Sequence, residues 1–165
     1  VIAGVPVGRE ISLRGPESDA LEVEVRDRPS ALLPSSGEFG SIIVIIATDA
    51  PLLPHQLKRL ARRAPIGIGR MGGYGSNGSG DIFIAFSTGN EGAWDRRQAT
   101  NVDMLPNDRL SPFFLATAEA TEEAIVNAMV AGETMEGING NRVHGLPHDR
   151  VREILEKSGR RGGDG

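Results

Sequence analysis

The sequence predicts a layered α/β fold, with helices packed against a sheet, and three features carry that expectation. Residues 42–47 (IIVIIA) form an unbroken apolar, β-branched run, the pattern of a strand buried on both faces. Residues 81–88 (DIFIAFST) form a second strand candidate. Segments with helical spacing lie between and after them, at 53–64 and from Ser111 to about Ala131. The chain has 165 residues, 39% apolar and 24% charged, which predicts one globular domain with a single sizeable core.

Each element follows from local pattern. Residues 1–11 (VIAGVPVGREI) predict a strand interrupted by Gly4, Pro6 and Gly8; it starts as if in mid-element, so further sequence is expected upstream. Residues 13–39 are polar. Within them Leu21, Val23 and Val25 alternate as in a short edge strand, and the Pro and Ser of 29–37 predict a flexible linker. That linker runs into the 42–47 strand without a turn. TDAP (48–51) leads into the helix of 53–64, with Leu57, Leu60, Ala61 and Ala64 on one face and Lys58, Arg59, Arg62 and Arg63 on the other. Pro65 is expected to end it. Residues 66–71 predict a strand, followed by a glycine-rich loop and the strand of 81–88. Ser111 caps the long helix, with Pro112 at its first position and Thr and Glu on its outer face, and Gly132 stops it. Asn139-Gly140 marks a turn, 147–158 a last helix, and RRGGDG a tail. There is no internal repeat.

Composition narrows the function. The net charge of −4 argues against nucleic acid or an anionic membrane as partner. No apolar run is long enough to span a bilayer, and no signal peptide is visible. The absence of cysteine excludes disulfides and thiolate chemistry and fits a reducing, cytoplasmic location. The segment GIGRMG (67–72) matches a dinucleotide fingerprint, which needs a strand before it and a helix starting inside it. Here GYGSNGSGD follows, which is not helical, so no cofactor is expected. His144, His148 and Asp149 have metal-ligand spacing, but Pro147 starts the helix after His144, which favours an exposed turn. The basic face of 58–63 contains no aromatic residue on which a base would stack, and is expected to be solvated.

The serines remain. No G-x-S-x-G elbow occurs, and no histidine is placed for a Ser-His-Asp order. A serine can instead be activated by its own α-amine once the chain is cut before it. Gly40-Ser41 has the features for this. The glycine permits the backbone strain of a hydroxyl attacking its own upstream carbonyl, the linker before it can move aside, and the strand after it is a rigid mount. A glycine-serine hinge before a strand is the plainer alternative on these residues alone.

Longer motifs bear on the choice. GSIIVIIATDAPLLPHQLKRLARRA (40–64) and NGSGDIFIAFST (77–88) resemble the L-aminopeptidase D-amidase/D-esterase and β-peptidyl aminopeptidase family. The resemblance extends through LSPFFLATAEATEEAIVNAM (110–129) and NGNRVHGLPHDRV (139–151), and back to IAGVPVGREI (2–11). It implies a precursor that cuts itself and folds as an αββα sandwich resembling the N-terminal-nucleophile hydrolases, of which this chain holds a part. By resemblance, the scissile bond is Gly40-Ser41, with residues 1–40 (linker about 12–40) ending the larger subunit and 41–165 forming the smaller. Ser41 is then the N-terminal nucleophile, and Ser79 and Asp81 of NGSGD are the family's second serine and acid. Ser79 would relay a proton or orient the nucleophile, and Asp81 would hold an ammonium by a charge-assisted bond.

The implied activity is hydrolysis of the N-terminal residue of short peptides, amino-acid amides or esters through an acyl-enzyme, without metal or cofactor. The implied partners are the upstream larger-subunit segment and further copies in a homo-oligomer of paired subunits, with neither nucleic acid nor membrane. The family also uses an upstream asparagine in its oxyanion hole, at a position this sequence does not contain. Two other classes stand beside this reading. One is acyl transfer resembling the ornithine acetyltransferases, which use a threonine nucleophile; the other is a degenerate, non-catalytic binding protein.

Overall fold

The computed structural model describes residues 2–7, 40–140 and 142–160. The expectations for the linker, for the edge strand around Leu21 to Val25 and for the last five residues lie outside the described residues. The chain divides into two units, Glu38–Glu123, and Val1–Gly37 with Ala124–Gly165.

The first of these is built on two strands, β1 (Ile43–Thr48) and β2 (Ile82–Ser87), paired in parallel with Ile43 opposite Ile82 and Thr48 opposite Ser87. The crossover between them carries two helices, α1 (Pro54–Ala61) and α2 (Ala64–Met71). A long helix, α3 (Ser111–Ala131), begins in this unit and ends in the other. Leu52, Leu60 and Leu110 form the buried centre, against which Ile46, Ala85 and Phe113 pack. β1 alternates half-buried and exposed residues, so the expected burial on both faces is not what the described residues show. The opposite face of the sheet, with Ile43 65% and Ile45 64% exposed beside Ile82, Ile84 and Phe86, is uncovered among them. No helix among the described residues is long and apolar enough to cross a membrane.

The amphipathic helix expected over 53–64 is α1, shorter than expected, and Ala64 is already the first residue of α2. α1 starts at Pro54, where the Gln56 side chain turns back and its Oε1 accepts the Leu53 N–H at 3.0 Å. α1 stops at Ala61, and Pro65 lies in the first turn of α2, where its missing N–H breaks no helical bond. Pro65 therefore opens a helix, and 66–71 is not a strand. The alternation of Ile and Gly imitates a period of two, but Gly67 serves a helix crossing. A Cβ there would lie 2.5 Å from the Ala118 carbonyl oxygen and 2.8 Å from Thr121 Cβ. Thr117 and Thr121 are buried, not outward, and Thr121 lies at this contact; their hydroxyls donate to the Phe113 and Thr117 carbonyls, both at 2.7 Å. The basic face expected over 58–63 is only partly solvated. Arg59 and Arg63 lie against Phe114, their guanidinium carbons 5.0 and 4.1 Å from the centre of its ring.

In the other unit, Val5, Val7, Val151 and Ile154 form the core. Residues 2–7 make a tight turn instead of the predicted strand. Ile2 and Val5 exchange backbone bonds of 2.9 and 2.8 Å across Ala3 and Gly4, whose φ values of 48° and 78° are left-handed. A short hairpin, β3 (Met135–Glu136) and β4 (Arg142–Val143), turns at Asn139 and Gly140 as expected. Helix α4 (His148–Lys157) comes next, with Pro147 at its N-cap.

Candidate active site

The ladder of β1 on β2 begins at the pair Ile43 and Ile82, so the segments that lead into the two strands lie side by side at the strand mouths. Ser41 and the Ser79–Asp81 segment thus meet because two strands pair, not because they are close in sequence. The chain reaches β2 through the loop of 72–80, which begins at a left-handed Gly72 (φ 103°) closing α2. It ends in a turn with the Ser79 N–H donating to the Ser76 carbonyl at 3.0 Å.

Hydrogen bonds join the cluster. The Ser79 hydroxyl donates to Asp81 Oδ1 at 2.6 Å, and the same oxygen accepts the Ile42 N–H at 3.1 Å. The Gly80 N–H donates to Ser41 Oγ at 3.0 Å. Ser79 and Asp81 are half-buried, whereas Gly40, Ser41 and Gly80 are exposed. The short Ser79–Asp81 bond has the length of a charge-assisted one, and it polarises the Ser79 oxygen toward accepting a proton. Ser41 receives a hydrogen bond on Oγ, which leaves its own hydroxyl hydrogen available for transfer to a base.

The structure therefore brings Ser41, Ser79 and Asp81 together, through the backbone N–H groups of Ile42 and Gly80. It leaves the other candidates apart. Among the described residues no group of three or more His, Cys, Asp or Glu is placed to hold a metal ion. His148 Nε2 lies 2.9 Å from the Val130 carbonyl oxygen near the end of α3. The GIGRMG segment runs through α2, and no strand directly precedes it. Two features escaped the sequence: the Gly80 amide on the serine, and the tie from Asp81 to the Ile42 backbone. Only the strand register, which needs both strands at once, would have indicated them.

Comparison with known proteins sets this site in context. Residues 1–143 match peptidase family S58. The chain is 48% identical over 160 residues to the β-peptidyl aminopeptidase BapA of Sphingosinicella microcystinivorans. It is 40% identical over 158 residues to BapA of Sphingosinicella xenopeptidilytica. Each alignment covers 94% of this chain but only 39% and 38% of those relatives, so the chain spans about two-fifths of their length. Among solved structures it is similar to the L-aminopeptidase D-Ala-esterase/amidase of Ochrobactrum anthropi, described as a prototype for the serine aminopeptidases and a new variant among the Ntn hydrolase fold. That match has 52% identity and a TM-score of 0.68, covering 73% of this chain and 34% of that one. The β-aminopeptidase of a Burkholderia species matches with 51% identity and a TM-score of 0.67, over 74% and 36%. The layered arrangement of this chain is thus a part of the Ntn-hydrolase variant fold.

Proposed function

The chain belongs to peptidase family S58, and on that premise we propose that it is the nucleophile-bearing part of a self-cleaving serine aminopeptidase, cut between Gly40 and Ser41. The supporting observation is the hydrogen-bonded set of Ser41, Gly80, Ser79 and Asp81 at the mouths of two paired strands. Residues 1–40 then close the larger subunit and 41–165 form the smaller.

In the first step Ser41 Oγ attacks the Gly40 carbonyl carbon. The hydroxyl proton leaves by way of Ser79, polarised by Asp81, and reaches the Ser41 nitrogen as the C–N bond breaks. The product is an ester on Ser41. Water hydrolyses it, releasing the Gly40 carboxylate and restoring the hydroxyl. The freed α-amine, ordinarily with a pKa of about 7.7 to 8.0, is then the base for later turnovers. In each of these Ser41 forms an acyl-enzyme with the substrate, the leaving amine or alcohol takes the proton, and water completes hydrolysis. Asp81, which uses Oδ1 for Ser79 and Ile42, offers its carboxylate charge to an ammonium, either that of Ser41 or that of the substrate.

The substrate class we infer is short peptides, amino-acid amides or esters bearing a free amine, in keeping with the relatives' names. A homo-oligomer of paired subunits and a cytoplasmic location belong to the same proposal. Serine at position 41 favours hydrolysis over a threonine-based acetyl transfer.

Intact-mass measurement of the complete protein tests the reading. The wild type is expected to split between Gly40 and Ser41 and to hydrolyse amino-acid amides or β-peptides, and Ser41→Ala to stay whole and inactive. An uncut, inactive wild type sinks the proposal.

A further inference from the structure

The ladder between β1 and β2 ends in an irregular way. The N–H groups of Ile82 and Thr88 donate to the Ile42 and Thr48 carbonyls at 3.0 and 2.9 Å, each forty residues back (82 − 42 = 40; 88 − 48 = 40). The preceding N–H on that side of β2 is that of Gly80, and the same offset assigns it the carbonyl of Gly40. It donates instead to Ser41 Oγ, at 3.0 Å. The facing position is diverted as well, since the Ile42 N–H leaves the ladder for Asp81 Oδ1. The sheet thus stops one step short of the bond assigned to cleavage, and both N–H groups at that step are aimed at side chains of the site.

We propose that the Gly80 backbone N–H is a catalytic hydrogen-bond donor to Ser41 Oγ, stabilising the negative charge that grows on this oxygen in self-cleavage and in each later attack. The inference rests on the proposed cleavage at Gly40-Ser41. A serine hydroxyl is a weak nucleophile until its proton departs, and a preplaced donor is most effective where charge develops. This donor is held by the Ser76–Ser79 turn on one side and the Ile82 ladder bond on the other, so it need not reorganise when charge appears. The diversion has a second effect. The Gly40 carbonyl takes no bond from Gly80, so its carbon can become tetrahedral without breaking the sheet. A Cβ at residue 80 would lie 3.4 Å from Ser41 Oγ, an ordinary contact, so an alanine there can keep the N–H in place.

The test replaces Gly80 by glycolic acid in the complete protein, which exchanges the amide N–H for an ester oxygen and leaves every side chain unchanged. Self-cleavage, monitored by intact mass, is expected to slow by roughly 10²–10³-fold, the usual effect of removing one such donor. Slowing of less than about threefold would overturn the inference, given that scale. Gly80→Ala keeps the N–H and is expected to cut within about tenfold of wild type, so a loss equal to that of the ester would assign the effect to loop shape and overturn the donor role. This variant keeps the test decisive if the ester lowers the thermal midpoint. An uncut wild type overturns the cleavage reading and this inference together; a cut wild type with an equally fast ester variant overturns this inference alone.

Discussion

Gln56 shows how much a single buried amide can organise. It is fully buried, takes the Leu53 N–H on its oxygen, and gives its nitrogen to the Leu105 carbonyl at 2.7 Å and Asn107 Oδ1 at 3.0 Å. Gln56→Ala leaves buried groups unpaired and is expected to cost about 2–3 kcal/mol, read as a lower urea midpoint without a change of slope. Asp81 carries a different prediction. A neighbouring carboxylate favours the charged form of an amine, so Asp81→Asn is expected to lower the pKa of the Ser41 α-amine. The basic form is then reached at lower pH, and the rising limb of the kcat/KM profile moves down from its wild-type position even as the rate itself falls. A profile with an unmoved limb would detach Asp81 from the amine. At this scale the candidates Ser41, Ser79 and Asp81 are named from GS and NGSGD through the family resemblance, and hydrogen bonds at the strand mouths join them. Gly80 and Gln56 are not legible in the sequence. A backbone donor has no side-chain signature, and a glutamine in an amphipathic helix looks solvated until its partners fifty residues away are placed.

Elements with strong internal signals appear where the sequence puts them: the strand of IIVIIA, the long helix stopped at Gly132, and the helix after Pro147. Local pattern misleads at 62–71, where proline reads as a stop and Ile-Gly alternation as a strand. Both signals are local, and the deciding contact is not. Gly67 sits against Ala118 and Thr121 of α3, and the absence of a side chain is what lets the two helices approach. Gly67→Leu is therefore expected to destabilise by about 2–3 kcal/mol through overpacking. Gly69, where a Cβ would meet nothing within 4 Å, is the control: Gly69→Ala should leave the thermal midpoint unchanged or slightly raised.

For the whole molecule, the telling feature is the sheet face of Ile43, Ile45, Ile82, Ile84 and Phe86, uncovered among the described residues. The composition of β1 predicts a strand covered on both sides, and this chain spans about two-fifths of its relatives' length (39% and 38%). An αββα sandwich sets two sheets face to face. In the complete protein this face is accordingly expected to meet a second sheet, and Ile45→Lys to lower stability by roughly 3 kcal/mol or more as an unpaired buried charge. An unchanged melting temperature would mean that the face stays open.

The missing rung at Gly40 also bears on the proposed cleavage. Gly40 is exposed, and the N–H that the ladder offset would assign to its carbonyl is bound to Ser41 Oγ. On that proposal the new Gly40 carboxylate has no bond from Gly80 to hold it beside the nucleophile, and the place in front of Ser41 is left for the next carbonyl.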